Sequence, residues 1–483
     1  MILRNTVFNL IGLGAPLVVA VFTIPVLIAA LGVGGFGMLT LIWAVVSYFG
    51  LFDFGLGRTL TLQMVLAESR GETERIGPMI TTALAVMASL GVVVGIALAL
   101  FAETGVGLLA DVPDRQQAVD AIRAMAWALP MITLTSGLRG VLEARNAFRA
   151  VNLIRLPMGI FTFLGPMLVV LVEPRLDWIA WALVGGRWVA AGAHLWVVFK
   201  VLPDGIGPFR FRSAEIRPLL SIGGWLTISN IVSPLMGYAD RFIIAGLVSA
   251  VAVAYYATPY EIVTKLWLVP GALTAVLFPE LAARIEASAS SAAGLVRQST
   301  SLIALILLPI CAFLAIFAFE VLSIWLDAEF ARNSALLLQV FSLGVLINST
   351  AQIPFTVIQS AGKPKWTAII HMAEALPFLL LLWWATASFG VTGAVVAWLG
   401  RILVDTALMF EGGRRALKLD GASILPARWP WIMILLLISG FVAQIEQLSF
   451  RLAAFAAIAL LSLVLVIRDE TVRAQIARLT ARR

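Results

Sequence analysis

Ionisable side chains stand inside long apolar runs of this sequence, and any chemistry the chain performs starts with them. Arg187 lies ten residues into the run 177–199, with nothing acidic within a helical turn of it. Arg155 stands about five residues into the run 150–172. Others have a partner nearby on their own helix: Glu261 with Lys265, Arg401 with Asp405, Arg139 with Glu143, and His371 with Glu374. A charge at the middle of a bilayer costs about 2.5–3.5 kcal/mol on insertion scales, so each needs a partner or a task. Two readings stand for each local pair. It neutralises itself, or it forms a half-exposed site in a wet cavity that opens to take an anion or a proton. Arg155 is shallow enough to snorkel to the headgroups. Arg187, roughly 15 Å deep at 1.5 Å per residue, is not, which favours a cavity-facing role. Arg241 beside Asp240 reads as structural. A guanidinium fork fits phosphate oxygens with two hydrogen bonds. A water-filled cavity lined by unpaired arginines therefore suits a phosphate-bearing anion and repels a cation.

The elements that hold these residues follow from composition. Of 483 residues 61% are apolar and 13% charged, about half the charged share of soluble domains. Such a chain cannot clothe three soluble domains in polar surface, which excludes a soluble enzyme, a nucleic-acid reader and a disordered protein. An all-α integral membrane protein remains. The net charge of +7 sits in short gaps between apolar runs, where the membrane explains it better than nucleic acid does. The single cysteine, Cys311, excludes an internal disulfide. The first apolar run, 7–31, is too long for a signal peptide's core and no A-x-A site follows it.

About fourteen spans are expected. Six fall at 7–31, 36–62, 78–102, 119–142, 150–172 and 177–199. Six more fall at 219–245, 252–282, 299–321, 334–359, 367–387 and 391–411, and a final pair at 430–446 and 451–467. Alternate loops hold 23 and 5 basic residues, which places both termini in the cytoplasm and agrees with an even span count. The outward loops are very short, as at 32–35 and 388–390. The expected organisation is an N-terminal six-helix lobe (1–199), a cytoplasmic linker (200–218), a C-terminal six-helix lobe (219–411), an accessory loop and helix pair (412–467) and a basic cytoplasmic tail (468–483). The lobes read as a parallel repeat. Pro16 matches Pro234, the loop 145–149 matches 361–365, and Gly186-Arg187 matches Gly400-Arg401, at offsets of 218, 216 and 214. Parallel repeats are a transporter architecture with the site between the lobes.

Motifs add to this. A glycine-rich turn, Leu31-Gly-Val-Gly-Gly-Phe-Gly37, lets the first two spans pack closely, and Tyr48 and the segment Asp53-Phe-Gly-Leu-Gly-Arg58 follow. Gly55 and Gly57 weaken span 2 near its end, which suits a hinge or an unwound segment. The Asp-Phe-Gly triplet has no kinase context around it. With Asn146-Ala-Phe-Arg149, its counterpart Gly362-Lys-Pro-Lys365 and the fourteen-span plan, these features resemble the polysaccharide flippases of Wzx type. Those belong to the superfamily of multidrug, oligosaccharidyl-lipid and polysaccharide exporters. The resemblance spans nearly the whole chain. It implies translocation of an undecaprenyl-diphosphate-linked oligosaccharide across the bacterial inner membrane, a cavity between two lobes and alternating access.

On this reading the diphosphate candidates are Arg187, Arg401, Arg155, Lys265 and Arg58. Trp181, Trp188, Trp225 and Trp398 are candidates for stacking on sugar faces, against a plainer role as packing or lipid-facing aromatics. Asp53, Glu374, Asp405 and Glu261 are candidates for coupling to H⁺, Na⁺ or the membrane potential. No catalytic residue, metal site or bound cofactor is expected. The expected partners are the lipid-linked cargo, membrane lipids, and the machinery that polymerises and exports the glycan. A peptidoglycan-precursor flippase and a cation-coupled drug exporter of the same superfamily are the nearest alternatives. A membrane-embedded glycan polymerase or glycosyltransferase is the alternative of another class, opposed by the absence of any sizeable outward loop. No GxxxxGK[ST] loop for a nucleotide is present.

Overall fold

Hydropathy of this strength leaves the backbone one economical choice inside a bilayer, the helix that satisfies its own hydrogen bonds. The computed structural model describes residues 2–51, 56–202, 206–419, 424–426 and 428–468, with side chains left out at 2–14, 46, 48–51, 58, 220–235, 275, 276 and 279. Among the described residues there is no strand. Two compact units are present, Met1–Ala254 and Tyr255–Arg483. The first holds α1 (Ile2–Leu51), α2 (Leu56–Ser69), α3 (Ile76–Leu100), the short α4 (Ala102–Gly107), α5 (Arg115–Ala126), α6 (Leu129–Ala144), α7 (Phe148–Val170), α8 (Leu176–Val201) and α9 (Ile216–Leu247). Helix α10 (Ala250–Thr264) carries the boundary. The second holds α11 (Leu268–Ala287), α12 (Ala289–Ile316), α13 (Ala318–Trp325), α14 (Ala328–Ser360), α15 (Pro364–Ala416), α16 (Trp429–Val442) and α17 (Leu448–Ile467). Among the described residues nine helices are long and apolar enough to cross a membrane. The chain is a multi-pass, all-α membrane protein.

Among the described residues the expected spans fall largely on helix, and the departures named below have local causes. The two shortest expected loops shrink to one glycine each. Both α1 and α15 run on through a hairpin whose only non-helical residue is Gly32 (φ 70°) or Gly390 (φ 60°). A side chain is strained at such angles, and glycine is not. The expected span 119–142 is broken at Trp127–Ala128, just ahead of Pro130, which has no N–H to donate to the Ala126 carbonyl. The Trp127 carbonyl, between the two helices, accepts the indole N–H of Trp188 at 3.3 Å. The expected span 252–282 is broken by a 3₁₀ turn at Lys265–Trp267, ahead of Pro270, which cannot donate to the Leu266 carbonyl.

The repeat at offset 216 extends to backbone geometry. After α6, Asn146 takes φ 56° and the amides of Asn146 and Ala147 donate to the carbonyls of Glu143 (3.0 Å) and Leu142 (2.8 Å). After α14, Gly362 takes φ 71° and the amides of Gly362 and Lys363 donate to Gln359 (3.0 Å) and Ile358 (3.1 Å). The two turns correspond residue for residue. Both are left-handed helix stops that satisfy orphan carbonyls.

The polar stretch after α8 lies along the first unit. The Gly77 amide donates to the Ile206 carbonyl at 2.7 Å, the Arg212 amide to the Thr82 hydroxyl at 2.9 Å, and the Arg75 guanidinium forks onto Glu215 at 3.0 and 3.2 Å. The glycine-rich turn meets span 1 at Gly35, whose Cβ would stand 3.1 Å from that of Leu31, and packs on a later helix as well. A Cβ on Gly37 would stand 1.8 Å from the Ala250 carbonyl oxygen rather than against span 1. Since backbone cannot swing away as a side chain does, Gly37→Ala is expected to destabilise by about 1–3 kcal/mol, read as a lower Tm in detergent. An unchanged Tm would mean that these helices do not touch at this residue.

Candidate functional site

In the first unit the geometry centres on Arg187. Along α8 the residues Ala180, Leu183, Val184, Ala190, Ala191 and His194 are buried. At about 100° per residue they form one stripe, with Arg187 in its middle. Arg187 is half-buried and has no hydrogen-bond or ion-pair partner among the described residues. Trp181 and Trp188 stand about 120° and 100° around the same helix and are 53% and 49% exposed. They share an exposed face with Val189 and Trp196. Arg155 is exposed on α7 and unpaired among the described residues, which fits snorkelling. Asp53 lies outside the described residues, as do the side chains of Arg58 and Trp225.

The second unit gathers polar residues from α14 and both limbs of α15. Asp405 lies 3.6 Å from Nε2 of His371, and its other oxygen accepts from Nδ2 of Asn348 at 3.4 Å. Glu374 is 7% exposed, within electrostatic reach of Asp405, Arg401 and His371, and neither of its oxygens has a hydrogen bond among the described residues. The Arg401 guanidinium lies over the Phe378 ring at 5.3 Å, and its Nε is buried without an acceptor. The two pairs expected here, Arg401 with Asp405 and His371 with Glu374, are thus exchanged for one across the hairpin. Helical neighbours contribute only about 0.2–0.5 kcal/mol, which tertiary partners easily outbid. Two other expected pairs form as read, Glu261–Lys265 at 2.7 Å and Arg139–Glu143 at 3.6 Å. Lys265 in this state is held by a carboxylate rather than free for a phosphate. Trp398 is also corrected. It is 1% exposed, packed edge-on against Phe341 (5.0 Å) and Tyr260 (5.9 Å), and belongs to the core.

Beside this cluster runs a groove of about 430 Å³ between α11 and α14, lined by Thr274, Phe278, Gln352, Phe355, Thr356 and Gln359. The side-chain amides of Gln352 and Gln359 have no partners among the described residues. Phe355 stacks on His371, centroids 6.2 Å apart and planes within 18°, and so joins the groove to the ionisable cluster. Charge-sorting of the sequence passed over these residues. The signal was present as spacing: Asn348, Gln352, Phe355 and Gln359 fall on one face of α14 inside an apolar run. Free amides beside aromatic rings, with threonine hydroxyls bonded only within their own helices at 3.1 and 2.7 Å, are the equipment for binding a neutral, hydroxyl-rich molecule. Among the described residues no group of His, Cys, Asp and Glu is placed to hold a metal ion.

Residues 27–335 match the family model described as "Polysaccharide biosynthesis protein". The chain belongs to the polysaccharide biosynthesis protein family. A relative from Shigella flexneri, named "Putative O-antigen transporter", is 30% identical over 411 residues, 84% of this chain and 96% of that protein. Among solved structures, an inward-facing MATE family multidrug resistance transporter of the MOP superfamily aligns with TM-score 0.71 and 14% identity, covering 86% of this chain and 96% of its own. The lipid II flippase MurJ in its inward closed conformation aligns with TM-score 0.66 and 12% identity, covering 92% and 98%. At these identities the structures show a shared transporter fold. This polysaccharide biosynthesis protein therefore has the fold of a transporter.

Proposed function

We propose that this protein flips an undecaprenyl-diphosphate-linked oligosaccharide from the inner to the outer leaflet of the bacterial inner membrane by alternating access, with both termini cytoplasmic, and that it performs no covalent chemistry. The observation that carries this reading is the groove of free amides and rings set among apolar helices, in a chain of the polysaccharide biosynthesis family. Membership of that family and the name of the Shigella relative support a glycan over a drug as cargo. A cationic drug would find no acidic groove there, whereas sugar hydroxyls meet Gln352 and Gln359 and a sugar face meets Phe278 or Phe355. Arg187 is the diphosphate ligand of the first unit, and its planar fork matches a pair of phosphate oxygens. The cluster of His371, Glu374, Arg401 and Asp405 couples movement to H⁺, Na⁺ or the membrane potential. The glycan then passes to the polymerisation and export machinery.

The test is a deletion strain together with purified protein in vesicles loaded with the lipid-linked glycan on one leaflet. The deletion is expected to leave glycan-bearing lipid on the inner leaflet, and the vesicles to move it outward. Normal surface glycan in the deletion strain, or glycosidic bonds formed by the purified protein, would overturn the proposal. Within it, Gln352→Ala and Gln359→Ala are each expected to lower glycan flux about fivefold, the worth of one neutral hydrogen bond of about 1 kcal/mol. Flux measured at equal protein levels decides this, and undiminished flux in the double variant removes the groove from the cargo path.

A further inference from the structure

A second cavity, separate from the groove, lies where α14, the end of α15 and the start of α16 converge. It measures about 440 Å³ and has walls of Ile347, Leu403, Phe410, Leu425, Trp429 and Met433. Leu403 and Leu425 are 50% and 37% exposed at its rim, so it opens among exposed apolar residues. Its volume lies in the ordinary range for ligand pockets, about 300–1,000 Å³. One end is charged. Glu411 accepts a two-pronged contact from Arg414 (2.8 Å twice) and one from Nε of Arg415 at 2.6 Å. Arg414 is further occupied by the Leu419 carbonyl at 2.7 Å. Arg415 keeps its terminal nitrogens free among the described residues, and Lys418 and Arg428 are exposed. Across 411–428 the sequence sets four cations against two carboxylates, Glu411 and Asp420. One further observation points to an occupant. Thr406 lines the cavity and is 6% exposed, yet its hydroxyl has no hydrogen bond among the described residues.

We infer that this cavity holds one acyl chain of an anionic glycerophospholipid, with the phosphate at Arg415, Lys418 and Arg428 and the glycerol ester carbonyl within reach of the Thr406 hydroxyl. The apolar walls take the chain, and the surplus of cations selects an anionic headgroup over a zwitterionic one. Trp429 stands at the junction of the two, where an indole is at home between hydrocarbon and headgroup. The cavity is too small for the undecaprenyl chain of the proposed cargo, which points to a resident membrane lipid. The lipid fastens α16 to α14 and α15 by filling space that side chains leave open. The inference stands whether or not the cargo is a glycan.

The experiment is native mass spectrometry of the full chain, delipidated in detergent and titrated with phosphatidylglycerol, phosphatidylethanolamine or undecaprenyl phosphate. Wild type is expected to keep one phosphatidylglycerol at a concentration at least tenfold below that needed for phosphatidylethanolamine. Leu403→Trp and Met433→Trp fill the cavity and are expected to lose that bound lipid at least tenfold. Both variants are read beside their Tm without lipid, which is expected to match wild type or exceed it. The triple change Arg415→Gln, Lys418→Gln, Arg428→Gln leaves the walls intact and is expected to erase the preference for phosphatidylglycerol. Equal affinity for the two phospholipids overturns the inference. So does undiminished phosphatidylglycerol binding in the folded tryptophan variants. Undecaprenyl phosphate binding tenfold more tightly than phosphatidylglycerol overturns it as well, and assigns the cavity to the cargo's own tail.

Discussion

Cells carrying Arg187→Ala are expected to lose surface glycan by at least about 100-fold at normal protein levels. Two charge-assisted hydrogen bonds from one guanidinium are each worth about 1.5–3 kcal/mol, and 1.4 kcal/mol is a factor of ten. Their loss is felt in full because Arg187 has no intramolecular partner among the described residues that would have shared its charge. Arg187→Lys keeps the charge and loses the planar fork, so it is expected to fall between the two. Stability gives the opposite sign. A half-buried, unpaired cation is a burden to the fold, so Arg187→Ala is expected to hold or raise the Tm. A fall in Tm of several degrees with flux intact would make Arg187 a structural residue held by something in its surroundings, and the diphosphate role would go. Arg139→Ala serves as the control. It removes a partly exposed cation that already has Glu143 at 3.6 Å, and is expected to change flux little.

What the sequence disclosed and what it concealed divide along physical lines. Hydropathy located the helices because a bilayer leaves a twenty-residue apolar run little alternative. It was blind to Pro130 and Pro270, whose effect is a missing amide hydrogen rather than a change in polarity. The loop repeat was legible to the residue, since Asn146 and Gly362 are types that tolerate a left-handed stop and stand 216 apart. Pairing on the helix surface was legible at Glu261–Lys265 and Arg139–Glu143. It failed at Asp405, which Asn348 of α14 and His371 of the other α15 limb reach first. Facing direction was the hardest quantity. Arg187 and Trp188 are adjacent in sequence and stand on different faces of α8, one among buried residues and one outward. Trp398 resembled its neighbours as a sugar platform until the rings of Phe341 and Tyr260 were seen around it. The groove escaped because amides and hydroxyls carry no charge to flag them, although their spacing along α14 was plain.

Glu374 yields the second large effect, and it separates coupling from structure. Its carboxylate is almost wholly buried and neither oxygen is hydrogen-bonded among the described residues, so its burial is not offset by hydrogen bonding. An ionised carboxylate in such a place costs several kcal/mol, and a protonated one is matched in shape by glutamine. In either state Glu374→Gln is expected to leave the Tm unchanged or higher. Transport is expected to move the other way. Glutamine cannot take up or release a proton and is a poorer ligand for Na⁺, so flux driven by an imposed ion gradient should fall at least tenfold. Exchange of cargo across the bilayer without a gradient should persist, because the groove at Gln352 and Gln359 is untouched. Asp405→Asn is expected to lose gradient-driven flux too, while keeping a polar contact with Asn348 at the position now spanned by 3.4 Å. A carboxylate kept only to brace α15 would give a lower Tm in both variants, with gradient-driven and gradient-free flux reduced in equal proportion. Vesicle flux with and without an imposed H⁺ or Na⁺ gradient, measured beside the Tm of each variant, tells these outcomes apart. Stability held while driven flux alone is lost is the signature of a group retained for work at the expense of the fold.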